Sequence, residues 1–330
     1  MPLLQTRGAG SARGFGFSAT QAGGGGGCDG TVGIFGLGFS TTRNKYTYAT
    51  CTSTASGVAS ASAGGYGQSA AGNSTRGIFA VGSNLTTRNK YTYATCTSTA
   101  SGVGAASGTN QLGAAAGNST LGIFALGSVP GGGSTTRNKY TYATCTSASA
   151  TSSSVKSAGS PGAAGNSTRG IFAIACSCFV STTTRNKYTY STDTSTATGV
   201  GVASFATSGG GSAAGNSTLG IFTVGKQTSG GYPNPFFNTV RNKYTYATCA
   251  STASGVGAAS QASYNGSAAG NSTRGIFALG VNGCACQLNI TIRNKYTYST
   301  DTSTASGVAS ASSNTGGPGA GVSWATCVNT

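Results

Sequence analysis

One hexapeptide, Arg-Asn-Lys-Tyr-Thr-Tyr, occurs six times in this chain, beginning at Arg43, Arg88, Arg137, Arg185, Arg241 and Arg293. Each copy is preceded by Gly-Ile-Phe, at Gly33, Gly77, Gly122, Gly170, Gly220 and Gly275. Two motifs in fixed order, repeated at this spacing, constrain the chain to a repeat architecture. Each repeat is one supersecondary unit that cannot bury its apolar face alone and must stack on its neighbours.

The residues of one repeat read as short strands between turns. In the third copy, Gly117 to Thr120 (Gly-Asn-Ser-Thr) is a turn signal. Leu121 to Gly127 reads as a short apolar strand closed by glycine, and a variable loop, residues 128–134, follows. Thr136 to Thr144 reads as a second strand. Alternation along it puts Tyr140 and Tyr142 on one face, expected to be buried, and Lys139, Thr141 and Ala143 on the other. The small-residue run Ser101 to Ser107 predicts a third strand in copy two, and Gly113 to Ala116 a fourth. Four short strands in repeats of ~45–57 residues predict an all-β fold, a six-bladed β-propeller. Alanine, glycine and serine suit inner strands crowded round a narrow axis, and Ile, Phe and Tyr suit the wider spaces between blades. Ala12 to Ser18 and Gly321 to Thr326 read as strands from the two ends that complete one blade and close the ring, removing its open edges. The rival architecture is a β-solenoid. Variable loops such as Lys226 to Asn238 and the absence of a capping helix count against it.

Composition bounds the chemistry. The chain has no His, no Glu and only three acidic residues, Asp29, Asp193 and Asp301. Paired carboxylates, a Ser-His-Asp set, a Cys-His pair or a His-ligated metal cannot be assembled from it. We therefore expect no enzyme activity, no catalytic residues, no cofactor and no metal. No apolar run approaches the roughly 18 residues of a membrane span. The opening Met-Pro-Leu-Leu-Gln-Thr-Arg lacks the apolar core of a secretory signal. The reading is neither membrane insertion nor general export.

The strings Gly-Asn-Ser-Thr-Arg-Gly-Ile-Phe-Ala-Leu-Gly and Asn-Lys-Tyr-Thr-Tyr-Ala-Thr resemble repeats of tailed-bacteriophage virion and tail-fibre proteins, themselves similar to the kelch type. The leader Leu4 to Phe17 also resembles the opening of phage structural proteins. The likeness spans nearly the whole chain. It departs from kelch in lacking the Gly-Gly doublet and the blade tryptophan, since Trp324 is the only Trp. The resemblance implies a non-enzymatic structural virion protein (tail fibre, neck or collar, or capsid decoration) that contacts the host surface or reinforces the particle. Its domains would be residues 1–11 as a leader, a candidate for virion attachment, and 12–330 as the propeller. Its partners would be other virion proteins, copies of itself in a homo-oligomer within the particle, and a bacterial surface polysaccharide, with neither nucleic acid nor membrane. A lectin-like carbohydrate-binding propeller is the alternative, and it requires exposed motif tyrosines for sugar stacking. A secreted matrix protein is a third, more remote reading.

Ten cysteines are patterned across the repeats. Cys51, Cys96, Cys145 and Cys249 share one repeat position, five residues after the first motif tyrosine. Asp193 and Asp301 hold it in repeats four and six. Those two repeats carry Cys-x-Cys instead, at Cys176 and Cys178 and at Cys284 and Cys286. Cys28 and Cys327 lie near the ends. One reading is a disulfide framework. Cys28–Cys327 would lock the closure, and Cys145 and Cys249 would meet the Cys-x-Cys pairs of repeats four and six. The partners left over would bond Cys51, Cys96 or another subunit. A long-loop disulfide contributes roughly 4–5 kcal/mol in the chain-entropy model. Buried free thiols are the other reading, and Cys-x-Cys spacing fits zinc poorly. A virion made in the cytoplasm, released by lysis and oxidised outside accommodates many cysteines without an export signal.

The net charge is +16, and twelve of the 19 basic residues belong to the six motifs. Arg43 and Lys45, Arg88 and Lys90, Arg137 and Lys139, Arg185 and Lys187, Arg241 and Lys243, and Arg293 and Lys295 are each two apart. On a strand each pair shares a face, and six copies predict a ring of positive charge suited to a polyanion. Equally, the charge keeps a neutral surface soluble and blunts strand edges. The recurring Asn-Ser-Thr, as at Asn73 and Asn118, reads as turn chemistry.

Overall fold

A computed structural model describes residues 31–65, 67–109, 111–129, 132–154, 162–174, 182–207, 211–227, 236–282, 290–312 and 321–323. It is an all-β ring of six four-stranded antiparallel blades, a six-bladed β-propeller.

The second blade shows the pattern. Its inner strand is Ser69–Gly72, its second Arg76–Ala80, its third Arg88–Thr92 and its outer strand Thr97–Thr99. Small residues occupy the inner strand, where neighbouring inner strands approach one another around the axis. The Gly-Ile-Phe motif lies in the second strand and the Arg-Asn-Lys-Tyr motif in the third, in fixed register. Gly77 faces Tyr91, Ile78 faces Lys90 and Phe79 faces Asn89.

The first blade is completed from the other end of the chain. Gly321–Ser323 takes the inner position and pairs antiparallel with Val32–Gly36, with Ile34 opposite Val322. The predicted closure is thus present on the C-terminal side. Ala12 to Ser18 lies outside the described residues, as does the 1–11 leader.

One strand was misplaced by the sequence reading. Ser101 to Ser107 is not a strand, and the outer strand of that blade is Thr97–Thr99. The small-residue segment instead runs on from the outer strand towards the next blade. Gly104 N–H donates to the Cys145 carbonyl at 2.8 Å. A Cβ on Gly104 would lie 2.5 Å from the Ser147 backbone nitrogen. Glycine and alanine are there for close approach between backbones, not for β-structure.

The core is divided into six clusters, one at each blade interface. Ala71, Ile78 and Ala80 of the second blade pack on Phe124, Tyr140 and Tyr142 of the third. Ile34 of the first blade packs on Phe79, Tyr91 and Tyr93 of the second. In each Gly-Ile-Phe, therefore, the isoleucine faces the following blade and the phenylalanine the preceding one. Both faces of every sheet are covered, so alternation along a strand does not separate inside from outside.

Candidate functional surface

Antiparallel blades place their loops at two ends of the ring. The Asn-Ser-Thr turns and the turns after Tyr-x-Tyr lie at one end. The loops between second and third strands, and the connections to the next blade, lie at the other.

The first end is built from the same turns in every described blade. In Asn118-Ser-Thr-Leu, the Asn118 Oδ1 accepts the backbone N–H of Thr120 and Leu121 at 2.9 and 2.8 Å. Its Nδ2 donates to the Ser167 carbonyl of the next blade at 3.1 Å. Asn73, Asn166 and Asn216 repeat this bond. The turn reading of Asn-Ser-Thr holds, with an added role in tying blades together.

The motif arginines are not on the surface. All six are about 1% exposed, which corrects the expected outward-facing ring of Arg43, Arg88, Arg137, Arg185, Arg241 and Arg293. Each reaches into the following blade. Arg88 Nη2 donates to Asn138 Oδ1 at 3.0 Å, and Nη1 donates to Ser147 Oγ and to the carbonyls of Gly104 and Ala105. Its guanidinium carbon lies 4.5 Å from the Phe124 ring centre and 5.9 Å from that of Tyr140. The same contacts run from Arg43 to Asn89, Arg137 to Asn186, Arg185 to Asn242, Arg241 to Asn294 and Arg293 back to Asn44. The cation is held without a carboxylate, by carbonyl, amide and hydroxyl acceptors and by aromatic faces. Burial lowers the arginine pKa values to about 10, against a smaller opposing pull from the adjacent tyrosines. All six remain charged at neutral pH.

The motif lysines, Lys45, Lys90, Lys139, Lys187, Lys243 and Lys295, are half-buried on the same strand face. Two are engaged. Lys139 Nζ meets Asp193 of the next blade at 2.7 Å, and Lys243 meets Asp301. Burial alone would raise the Asp193 pKa. Hydrogen bonds from Lys139, Tyr188 and Thr151 outweigh it and hold the carboxyl at about 2.

Cys51, Cys96, Cys145 and Cys249 are free, half-buried thiols. Each Sγ lies 3.7–3.8 Å from the carbonyl of the tyrosine three residues earlier. The expected partners of Cys145 and Cys249 are not among the described residues. Cys51, Cys96, Cys145 and Cys249 sit in the turns between third and outer strands, whereas in the sequence Cys176, Cys178, Cys284 and Cys286 fall between second and third strands. Those four, with Cys28 and Cys327, lie outside the described residues.

Sequence reading missed a second set of arginines. Arg76, Arg169 and Arg274 open the second strands of alternate blades and donate to the carbonyls of Tyr142, Tyr246 and Tyr48 in the next blade, at 2.9–3.0 Å. The signal was available: Ser-Thr-Arg alternates with Ser-Thr-Leu before Gly-Ile-Phe.

The other end of the ring is where the repeats differ. The segments between second and third strands run over 37–42, 81–87, 126–136, 174–184, 224–240 and 279–292, and differ in length and in their middle residues. Among the described residues, the large apolar side chains exposed to solvent are Phe39 and Leu85, in these segments, and Val202 and Phe205, in the connection from the fourth blade to the fifth. Phe39 is 59% and Val202 56% exposed.

No protein-family model matches the chain, and no curated protein sequence matches it. Among solved structures it is similar to that titled "Structure of YjhT", with a TM-score of 0.51 and 10% identity over 64% of this chain and 72% of that one. At that identity the likeness concerns the fold alone, which is that of a six-bladed β-propeller.

Proposed function

We propose that this chain is a non-enzymatic scaffold that binds through the variable end of its ring, and that it serves as a structural protein of a tailed-bacteriophage virion: a tail fibre, a neck or collar component, or a capsid decoration. The observation that carries the binding reading is that the segments between second and third strands differ most in length and sequence and carry the exposed Phe39 and Leu85, on an otherwise closely repeated ring. Buried inter-blade contacts keep the repeats alike; loops free of that constraint are free to specify a partner. The virion setting rests on the resemblance of the repeat motifs. Host surface polysaccharide and neighbouring virion proteins, including further copies of this chain, are the partners in this reading.

Two sequence-level variants narrow. Sugar stacking on the motif tyrosines is excluded, because Tyr46, Tyr91, Tyr140, Tyr188, Tyr244 and Tyr296 are 0% exposed. Polyanion contact loses the buried arginines and falls to Lys45, Lys90, Lys187 and Lys295, which form no ion pair among the described residues.

The test is fractionation of lysate from cells producing the chain, followed by gold-labelled antibody on the particles. The chain should sediment with particles and mark a tail, collar or capsid site. Recovery only in particle-free fractions overturns the virion reading. Binding is tested separately, with purified protein on host cells. Phe39→Ser combined with Phe205→Ser should weaken it severalfold while the melting curve stays unchanged. Undiminished binding would remove the variable end from the account.

A further inference from the structure

The turn position held by Cys in four blades and Asp in two is one site in two chemical states. All six residues adopt the same left-handed backbone, with φ between 53° and 56°. In the Asp blades the carboxylate accepts the hydroxyl of the first motif tyrosine, at 2.8 Å for Tyr296 and Asp301, and takes the lysine of the preceding blade. In the Cys blades the same hydroxyls, of Tyr46, Tyr91, Tyr140 and Tyr244, are buried and have no hydrogen-bond partner. Each is turned towards the thiol of its own blade, which adds to burial in raising the hydroxyl's pKa. A buried donor thus faces a sulfur, a weak acceptor, where the Asp blades offer it a carboxylate.

The surroundings differ in a second way. Where Asp is present, the preceding blade offers Leu121 or Leu219 at the start of its second strand. Where Cys is present, three of the four preceding blades offer an arginine. Arg76 Nη1 lies 3.4 Å from Cys145 Sγ, Arg169 Nη1 3.5 Å from Cys249 Sγ and Arg274 Nη1 3.8 Å from Cys51 Sγ. At the fourth, Cys96, the corresponding residue is Val32. Lys90, Lys187 and Lys295 hold the positions from which Lys139 and Lys243 reach their aspartates. Three interfaces therefore present two cations and a buried hydroxyl donor to a half-exposed sulfur, with no anion.

We infer that Cys51, Cys145 and Cys249 are sites of oxidation by hydrogen peroxide to the sulfinic acid, whose two oxygens reproduce the aspartate carboxylate and complete an ion pair across each interface. In the first step the thiolate attacks one peroxide oxygen. The S–O bond forms as the O–O bond breaks, sulfur gives up two electrons, and hydroxide leaves. In the second, the sulfenate sulfur attacks another peroxide in the same way. The peroxide oxygen is added, water leaves, and the sulfinate is anionic. The tyrosine hydroxyl then has a strong acceptor, and the arginine, which otherwise meets only neutral acceptors, has an anion.

The experiment is peroxide treatment of the full chain, with peptide mass spectrometry over time and melting curves before and after. The peptides of Cys51, Cys145 and Cys249 should gain two oxygens severalfold faster than that of Cys96. The melting temperature should rise on oxidation. Cys145→Asp should raise it without peroxide, and Lys90→Met should abolish the gain from Cys145→Asp. Equal rates at Cys96, or a melting temperature unchanged or lowered by both oxidation and Cys145→Asp, would overturn the inference.

Discussion

At the residue scale, one arginine per repeat carries a large share of the inter-blade interaction. Removing a buried, charge-assisted network leaves its acceptors unpaired and opens space between two rings. Arg88→Met should cost about 3–5 kcal/mol in denaturant unfolding. Arg88→Lys should recover little of it, because an ammonium cannot reach Asn138, Ser147 and two carbonyls in one fork. A loss below about 1 kcal/mol would show that the interface repacks. The titrating residues set two pH limits. Asp193, with a folded pKa lowered to about 2, contributes stability that is present above the unfolded value near 4 and lost as pH falls towards 2. Asp193→Asn should flatten acid unfolding in that window. Burial raises the pKa of the motif tyrosines, among them Tyr91, Tyr142, Tyr188 and Tyr246. The unfolded chain therefore releases phenolic protons first, and stability falls as pH rises above about 10. The lowered arginines act in the opposite sense above about 10 but are fewer. Phenolate absorbance and loss of β-sheet signal should rise together in an alkaline titration.

At the element scale, the second strand is fitted to the tyrosines that cross it. A Cβ on Gly122 would lie 2.9 Å from the Tyr142 hydroxyl, 3.0 Å from Phe124 and 3.2 Å from the Ala71 methyl of the preceding blade. Neither ring has room to retreat in a close-packed interface. Gly122→Ala should cost about 1–3 kcal/mol, read from the denaturation midpoint. Gly102, by contrast, faces open space but has a φ of +67°, so its substitution strains the turn rather than the packing. The strands carrying Ile-Phe and Tyr-x-Tyr were legible in the sequence, because β-favouring residues stand between turn signals. The outer strand, Thr97–Thr99, was not. A three-residue, half-exposed strand has no periodicity to read, and the small-residue run beyond it looked better.

At the scale of the whole molecule, the ring is closed by a strand from far along the chain. Removing residues 321–330 would leave the inner edge of Val32–Gly36 unpaired beside the axis. We expect a lower melting temperature and self-association on gel filtration, since an open strand edge pairs with other chains. A truncated chain that stays monomeric with an unchanged melting temperature would show that closure adds nothing. Repetition of two motifs by itself determined that the fold is modular, all-β and six-fold, with small residues inside and aromatics between blades. The absence of His and Glu by itself limited its chemistry. What only the tertiary structure decided was which residues are free to meet a partner. Sequence parity divided each motif into a buried tyrosine face and an exposed basic face. In a ring every blade is covered on both sides, so the arginine face is as buried as the tyrosine face. The surface passes instead to the loops at one end and to the turn where Cys replaces Asp.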